Sequence, residues 1–179
     1  MSETTLRQSG LHEMPAAPNR RVLVIDDNDA IHRDFRKPAM EVELTEVHPT
    51  LEELNHTVKH LKSWMKPTRV GTPLLLAGSS SHVRYEARGV VLVLAPWNYP
   101  YLTAVNSVFP ALAAGNAVIL KHAAQTLLVG ERFQTAFDKA GLPKGIFQNL
   151  VLSHEQTERL ISSGKVDHVS FTGSVAGGK

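Results

Sequence analysis

The sequence predicts an α/β fold built on a parallel, doubly wound sheet with flanking helices, and three observations lead there. Between Gly89 and Gly173, short apolar runs recur at residues 90–95, 117–121, 147–152 and 168–171. Helical patterns separate them at about residues 102–114, 126–140 and 155–162. Gly115 and Gly141 follow the first two of these patterns, where a left-handed residue closes a helix. Apolar runs without polar alternation belong to strands covered on both faces. Strands separated by helices pair in parallel, through right-handed crossovers.

The elements ahead of this core follow from simpler patterns. Residues 1–19 mix Ser, Thr, Pro and charged side chains without apolar periodicity, which predicts a disordered leader. Val22, Leu23, Val24 and Ile25 then form a short run ending in Asp26, Asp27, Asn28 and Asp29, the pattern of a buried strand with an acidic end. From Leu44, apolar side chains at Val47, Leu51, Leu54, Val58, Leu61 and Met65 recur in steps of three and four, one stripe along a long helix. Glu52, Glu53, Lys59 and Lys62 fall on its other face. Pro49 predicts a break or kink near His48, because an interior proline lacks the N–H donor and clashes with the preceding turn, and Pro67 ends the helix. Residues 74–76, the Gly-Ser-Ser-Ser turn at 78–81 and the alternating segment 82–88 predict a β-hairpin leading into the first core strand.

Composition narrows the function. With 179 residues, 42% of them hydrophobic, the chain can bury a core of its own. Nineteen Lys and Arg against 17 Asp and Glu leave a net charge of +2, too small an excess for electrostatic binding to nucleic acid or an anionic membrane. No apolar run approaches the roughly 20 residues that span a bilayer, and the polar opening lacks a secretory signal's apolar stretch, so the cytoplasm is the expected compartment. The absence of cysteine excludes disulfides, thiolate metal sites and cysteine nucleophiles within these residues.

The chemistry-bearing residues cluster at predicted strand ends. APWNYP, residues 95–100, sits past the carboxyl end of the first core strand, where open α/β sheets place ligands. Asn98 in that turn either presents a carboxamide donor to a developing oxyanion or stabilises its own turn. Lys121 ends the second strand in VILKHA, either at the ligand edge or as a solvated strand-end cation. After the fourth strand, FTGSVAGGK carries Gly173, Gly177 and Gly178, which let backbone amides approach a phosphate at a helix N-terminus. Its spacing fails the G-x-x-x-x-G-K-S/T pattern, and a G-x-G-x-x-G fingerprint is absent. His56 and His60 share one helix face, but no third ligand is evident and no metal site is expected; Trp64 and Trp97 read as packing residues.

Taken in order, GVVLVLAPWNYP, PALAAGNAVILKHA, AGLPKGIFQNLVL and VSFTGSVAGGK resemble the cofactor-domain signatures of the aldehyde dehydrogenase superfamily. The resemblance runs from about residue 34 to residue 179, with DFRKPAMEVEL, the long helix and KSWMKP resembling that family's N-terminal helices. It implies a Rossmann-like domain, here an incomplete aldehyde dehydrogenase fold, with NAD or NADP as cofactor and an aldehyde oxidised to a carboxylic acid. It also implies that Asn98 helps hold a thiohemiacetal oxyanion and that Pro96 and Trp97 lie along the cofactor. Lys121 would bind the adenosine ribose, with Gly173 and Ser174 at the pyrophosphate. Where many NAD-preferring members carry a Glu three residues after the Lys, this chain has Ala124, which leaves the cofactor preference open. The LKHA wording and the FQNLVL strand lean toward succinate-semialdehyde or class 3-like branches.

The family's Glu base in an ELGG segment and its Cys nucleophile do not occur in these residues, so a truncated or fused form without turnover of its own is expected. The alternative is a non-catalytic nucleotide-binding or interaction fragment that associates with a full-length partner or itself through an exposed sheet edge. Residues 20–37 resemble the start of a response-regulator receiver domain, with Asp26 and Asp27 matching its acidic pair, although no later strand supplies a phospho-acceptor Asp. The expected organisation is therefore a leader at 1–19, a receiver-like strand and helix at 20–37, a helix and hairpin at 38–88, and the nucleotide-binding core at 89–179.

Overall fold

The computed structural model of the chain describes residues 28–178. The leader, the strand expected over residues 22–25 and the pair Asp26 and Asp27 lie outside the described residues. Six helices and six strands follow: α1 (Asn28–Phe35), α2 (Ala39–Val42), α3 (His48–Trp64), β1 (Thr68–Val70), β2 (Ser81–Val83), β3 (Val90–Ala95), α4 (Pro100–Ala113), β4 (Ala117–His122), α5 (Leu127–Lys139), β5 (Phe147–Asn149), α6 (His154–Ser162) and β6 (His168–Phe171). The core is a four-stranded parallel sheet in the order β5-β4-β3-β6. β3 pairs β4 from Val90 with Ala117 to Ala95 with His122, and β6 pairs β3 on its other edge.

Two expectations in the N-terminal third are corrected. The irregularity expected near His48 is a π-helical turn, Glu43–Val47, which joins α2 to α3 without ending the helix, with the His48 N–H reaching back five residues to the Glu43 carbonyl; what it overturns is the expected apolar stripe. The wider turn absorbs a proline that has no N–H to give, and it shifts the helical phase. The buried face is consequently Val42, Glu46, Val47, Thr50, Leu54 and Thr57, while Leu44 and Val58 from the expected stripe face solvent. The hairpin is also built from different residues. β1 pairs β2 antiparallel, Thr68 with Val83, and Leu74–Leu76 form a 3₁₀ turn in the connection. A Leu triplet reads as a strand by apolarity, but with Pro73 before it and solvent on its side it has no neighbouring strand to pair with. The third core strand is shorter than expected, ending at Asn149.

The core occupies one face of the sheet. Val91, Val93, Ala95, Val118 and Leu120 pack against Tyr101, Ala104, Val105 and Val108 of α4 and Val129, Phe133 and Phe137 of α5. Phe133 is fully buried and stacks between Tyr101 and Phe137, and burial of a side chain of that size contributes about 1.5–3 kcal/mol. The N-terminal helices belong to this same core through Ala30, Ile31, Val42, Val47 and Leu54. They also close helix ends that carry no local cap. The Asp34 carboxylate accepts the Val129 N–H at the start of α5, 3.3 Å away, and Glu46 does the same for α4. By contrast α6 carries its own capping box, Ser153 with Gln156.

Candidate functional site

The strand order locates the site. From β3 the chain steps outward through α4 to β4 and through α5 to β5, whereas α6 carries it back across to the far edge of β3. Right-handed crossovers then place α4 and α5 on one face and α6 on the other, and the direction of winding reverses between β3 and β6. In open α/β sheets the loops after two adjacent parallel strands diverge at such a reversal, and ligands bind in the crevice outside their carboxyl ends. The turn after β3 and the glycine loop after β6 share this rim: Leu94 is in register with Phe171, and the Thr172 N–H donates to the Leu94 carbonyl at 3.1 Å.

On the β3 side, Pro96 is half-buried while Trp97 and Asn98 stand exposed at the rim. Tyr99 then caps α4 without a side-chain hydrogen bond of its own, and Pro100 occupies the first helical turn. The N-terminal amides of α4 are nevertheless satisfied. The Tyr101 N–H donates to Glu46 Oε2 at 2.9 Å, the Leu102 N–H also reaches that carboxylate, and the Thr103 N–H donates to the Tyr99 carbonyl. The other oxygen, Glu46 Oε1, accepts from Lys37 Nζ at 2.9 Å, and that ammonium lies 4.3 Å from the centre of the Tyr99 ring. Burial pushes the Glu46 carboxyl above the usual carboxylate range, against the Lys37 hydrogen bond and the amide donors that pull it down. A helix N-terminus is a ready anion site. Here a side chain already fills it.

Lys121 and Phe171 flank Leu94 in register, so these three side chains form a row on the α6 face. The Lys121 ammonium donates to the His122 carbonyl at 3.1 Å, and burial lowers it from the ordinary lysine value. His122, one residue on, points into the core and lies against the Phe133 ring. Burial pushes the His122 imidazole down to about 4, with the Lys121 charge adding to the effect, and neither ring nitrogen has a hydrogen-bond partner among the described residues. The sequence reading passed over this residue because a strand-end His beside a Lys looks solvated. The alternation of β4 was the available signal, since Val118 and Leu120 share its face.

In the glycine loop, Ser174 Oγ accepts the Gly177 N–H at 3.2 Å and caps the short turn Ala176–Gly178. The glycines have a second reason to be there. A Cβ on Gly173 would lie 2.6 Å from the tip of the Phe171 ring, and one on Gly177 would lie 3.0 Å from it. The loop thus wraps a half-exposed aromatic ring, and the Gly177 and Gly178 amides close it on the Ser174 and Val175 carbonyls. Elsewhere, a cavity of about 270 Å³ lined by Gln134, Asp138, Lys144 and Gln148 opens beside the amino end of β5, on the rim opposite these residues. Among the described residues there is no group of three or more His, Asp or Glu able to hold a metal ion, and no helix long and apolar enough to cross a membrane.

Fold and rim together define a Rossmann-like α/β domain. The family model for the aldehyde dehydrogenase family matches residues 27–179, and the chain belongs to that family. It is 33% identical over 148 residues to a fatty aldehyde dehydrogenase of Saccharomyces cerevisiae, covering 82% of this chain and 28% of the relative. It is 32% identical over 151 residues to aldehyde dehydrogenase family 3 member B1 of Bos taurus, covering 84% and 32%. Among solved structures, succinic semialdehyde dehydrogenase from Streptococcus pyogenes, in complex with NADP⁺ as the cofactor, superposes with a TM-score of 0.78 at 25% identity, over 84% of this chain and 32% of that one. An NADP-dependent glyceraldehyde-3-phosphate dehydrogenase from Bacillus halodurans gives 0.75 at 29% identity, over 87% and 33%. The chain therefore spans about a third of the length of the proteins it matches.

Proposed function

We propose that these residues form the nucleotide-binding portion of an NAD(P)-dependent aldehyde dehydrogenase, holding NAD or NADP across the carboxyl rim at the β3–β6 reversal. One observation carries the reading: the Asn98 turn, Lys121 and the glycine loop, far apart in sequence, occupy adjacent positions on one rim. The residues present fit a dinucleotide. Lys121 supplies a cation, the Ser174 hydroxyl, which accepts from Gly177, keeps its own O–H to donate to a phosphate, and Leu94 with Phe171 offers an apolar bed for a flat ring. When bound, the nicotinamide would accept the hydride that oxidises an aldehyde. Pro96 and Trp97 would lie along it, with Lys121 at the ribose and Gly173 and Ser174 at the pyrophosphate. The Asn98 carboxamide would donate to the aldehyde oxygen as negative charge develops there, a contribution that in other enzymes with an oxyanion donor is worth roughly 3 kcal/mol of barrier.

The covalent step requires a nucleophile that a chain with no cysteine does not hold. Binding without turnover is the expected behaviour of the pure chain. Titration calorimetry with NAD and NADP should give a weak heat of binding, and an absorbance assay with aldehyde should give no NAD(P)H. Aldehyde-dependent NAD(P)H production by the pure chain would overturn the second expectation, and thermally silent mixing by a folded sample would overturn the first. A second reading, association with a full-length partner or another copy, is favoured by the exposure of Leu74 and Leu75, 90% and 95%. Light scattering on the eluting protein tests it, a clean monomer at all concentrations counting against it.

A further inference from the structure

We propose that Glu46, held by Lys37, is the positioning residue for the Asn98 turn: the N-terminal helices set the direction of the rim carboxamide through one buried carboxylate. This rests on the reading of Asn98 as a rim donor. The chain from carboxylate to turn is short. Glu46 is fully buried and Lys37 nearly so, and their 2.9 Å contact fixes Oε1. Oε2 takes the Tyr101 N–H, and the same carboxylate takes that of Leu102, so one side chain ties down the first free amides after Pro100. Lys37 grips the turn a second time through the Tyr99 ring. Residues 96–98 are left strung between the end of β3 and this anchor, with no slack but their own dihedrals.

A pair of charges taken out of water is a poor way to add stability, since apolar side chains of like volume at such sites are often as good or better. What the carboxylate provides that an apolar pair would not is a fixed acceptor for two backbone amides at the base of the functional turn. The N-terminal helices are thus part of the site's machinery, reaching the base of the turn through Glu46 and Lys37.

The test compares Lys37→Met/Glu46→Gln with Lys37→Met/Glu46→Met in the full chain by nuclear magnetic resonance, without nucleotide. Both doubles remove the charge pair, and they differ in whether an acceptor faces Tyr101. The reporters are the Asn98 side-chain amide and the Trp97 indole N–H, with the backbone amides of Val91 and Leu120 as controls for the sheet. Both doubles lose the Lys37 contact with Tyr99, so the Gln double is expected to move the reporters a little, and the Met double to shift them several times further and broaden them while the controls stay in place. Reporters that respond alike in the two doubles would overturn the proposal and reduce the pair to a stabilising contact. Should the Met double fail to give a dispersed spectrum, Glu46→Asp, which keeps the charge but withdraws the carboxylate by one methylene, should move the reporters; unmoved reporters there would overturn it equally. Because no cofactor is added, a wild-type chain that fails to bind NAD(P) would sink the functional reading and leave this result standing or falling on its own.

Discussion

Protonation of His122 should make the protein acid-sensitive by an amount the structure sets. The imidazole is buried with both nitrogens unpartnered among the described residues, and its folded value of about 4 compares with 6.5 for an ordinary histidine. A histidine with a depressed folded pKa contributes stability that is present above the unfolded value and lost as pH falls toward the folded one. The gap between 6.5 and about 4 corresponds to roughly 3 kcal/mol, of which about 2 kcal/mol is gone by pH 5. Asp34 and Glu46, both raised by burial, act in the opposite sense: their contribution is present at low pH and lost as pH rises through their folded values. They are common to wild type and variant, so His122→Phe isolates the histidine. The phenyl ring keeps the contact with Phe133 and removes the two orphaned nitrogens. Urea unfolding at pH 7.5, 6, 5 and 4.5 should show the wild type losing about 2 kcal/mol more than His122→Phe between pH 7.5 and 5. Parallel pH profiles for the two proteins would refute the claim that this imidazole is buried uncharged.

Two further substitutions probe the frame and the rim. Gly89 sits at φ +125°, and a Cβ there would collide with the Asp167 carboxylate that accepts the Val90 N–H, so Gly89→Ala should lose about 2 kcal/mol or more by urea unfolding. A loss below about 0.5 kcal/mol would contradict the left-handed backbone at Gly89. Lys121→Met should leave folding stability unchanged or raised, because it removes a partly desolvated ammonium, while calorimetry shows NADP binding weakened about tenfold, the size of one charge-assisted contact. Equal affinity in the variant would remove Lys121 from the binding site.

The parallel sheet was legible because its signal is local. β3 and β6 occupy the very residues whose apolar runs announced them: β3 is a buried central strand, and β6, although at the sheet edge and partly exposed, keeps a β-branched and aromatic run. The N-terminal helices were legible as helices but not in phase, because a π turn ahead of Pro49 rotates α3 and no periodicity rule anticipates it. The same shift hid Glu46, a charged residue that counting by apolarity sends to the solvent. The hairpin failed differently: apolarity marked Leu74, Leu75 and Leu76, while pairing chose the β-branched and polar segments on either side. At the rim, Asn98, Lys121 and Ser174 were found through motifs, whereas Lys37, Asp34 and His122 act through burial and long-range contacts, which single-sequence spacing does not record.

The central claim is that the rim at the β3–β6 reversal binds a nicotinamide dinucleotide. Titrating NADP into isotopically labelled chain and mapping the shifted amides tests it directly. The account predicts changes confined to Trp97, Lys121 and the segment from Gly173 to Gly177. Changes instead around Gln134, Lys144 and Gln148 on the opposite rim, or none in a folded sample, would contradict it.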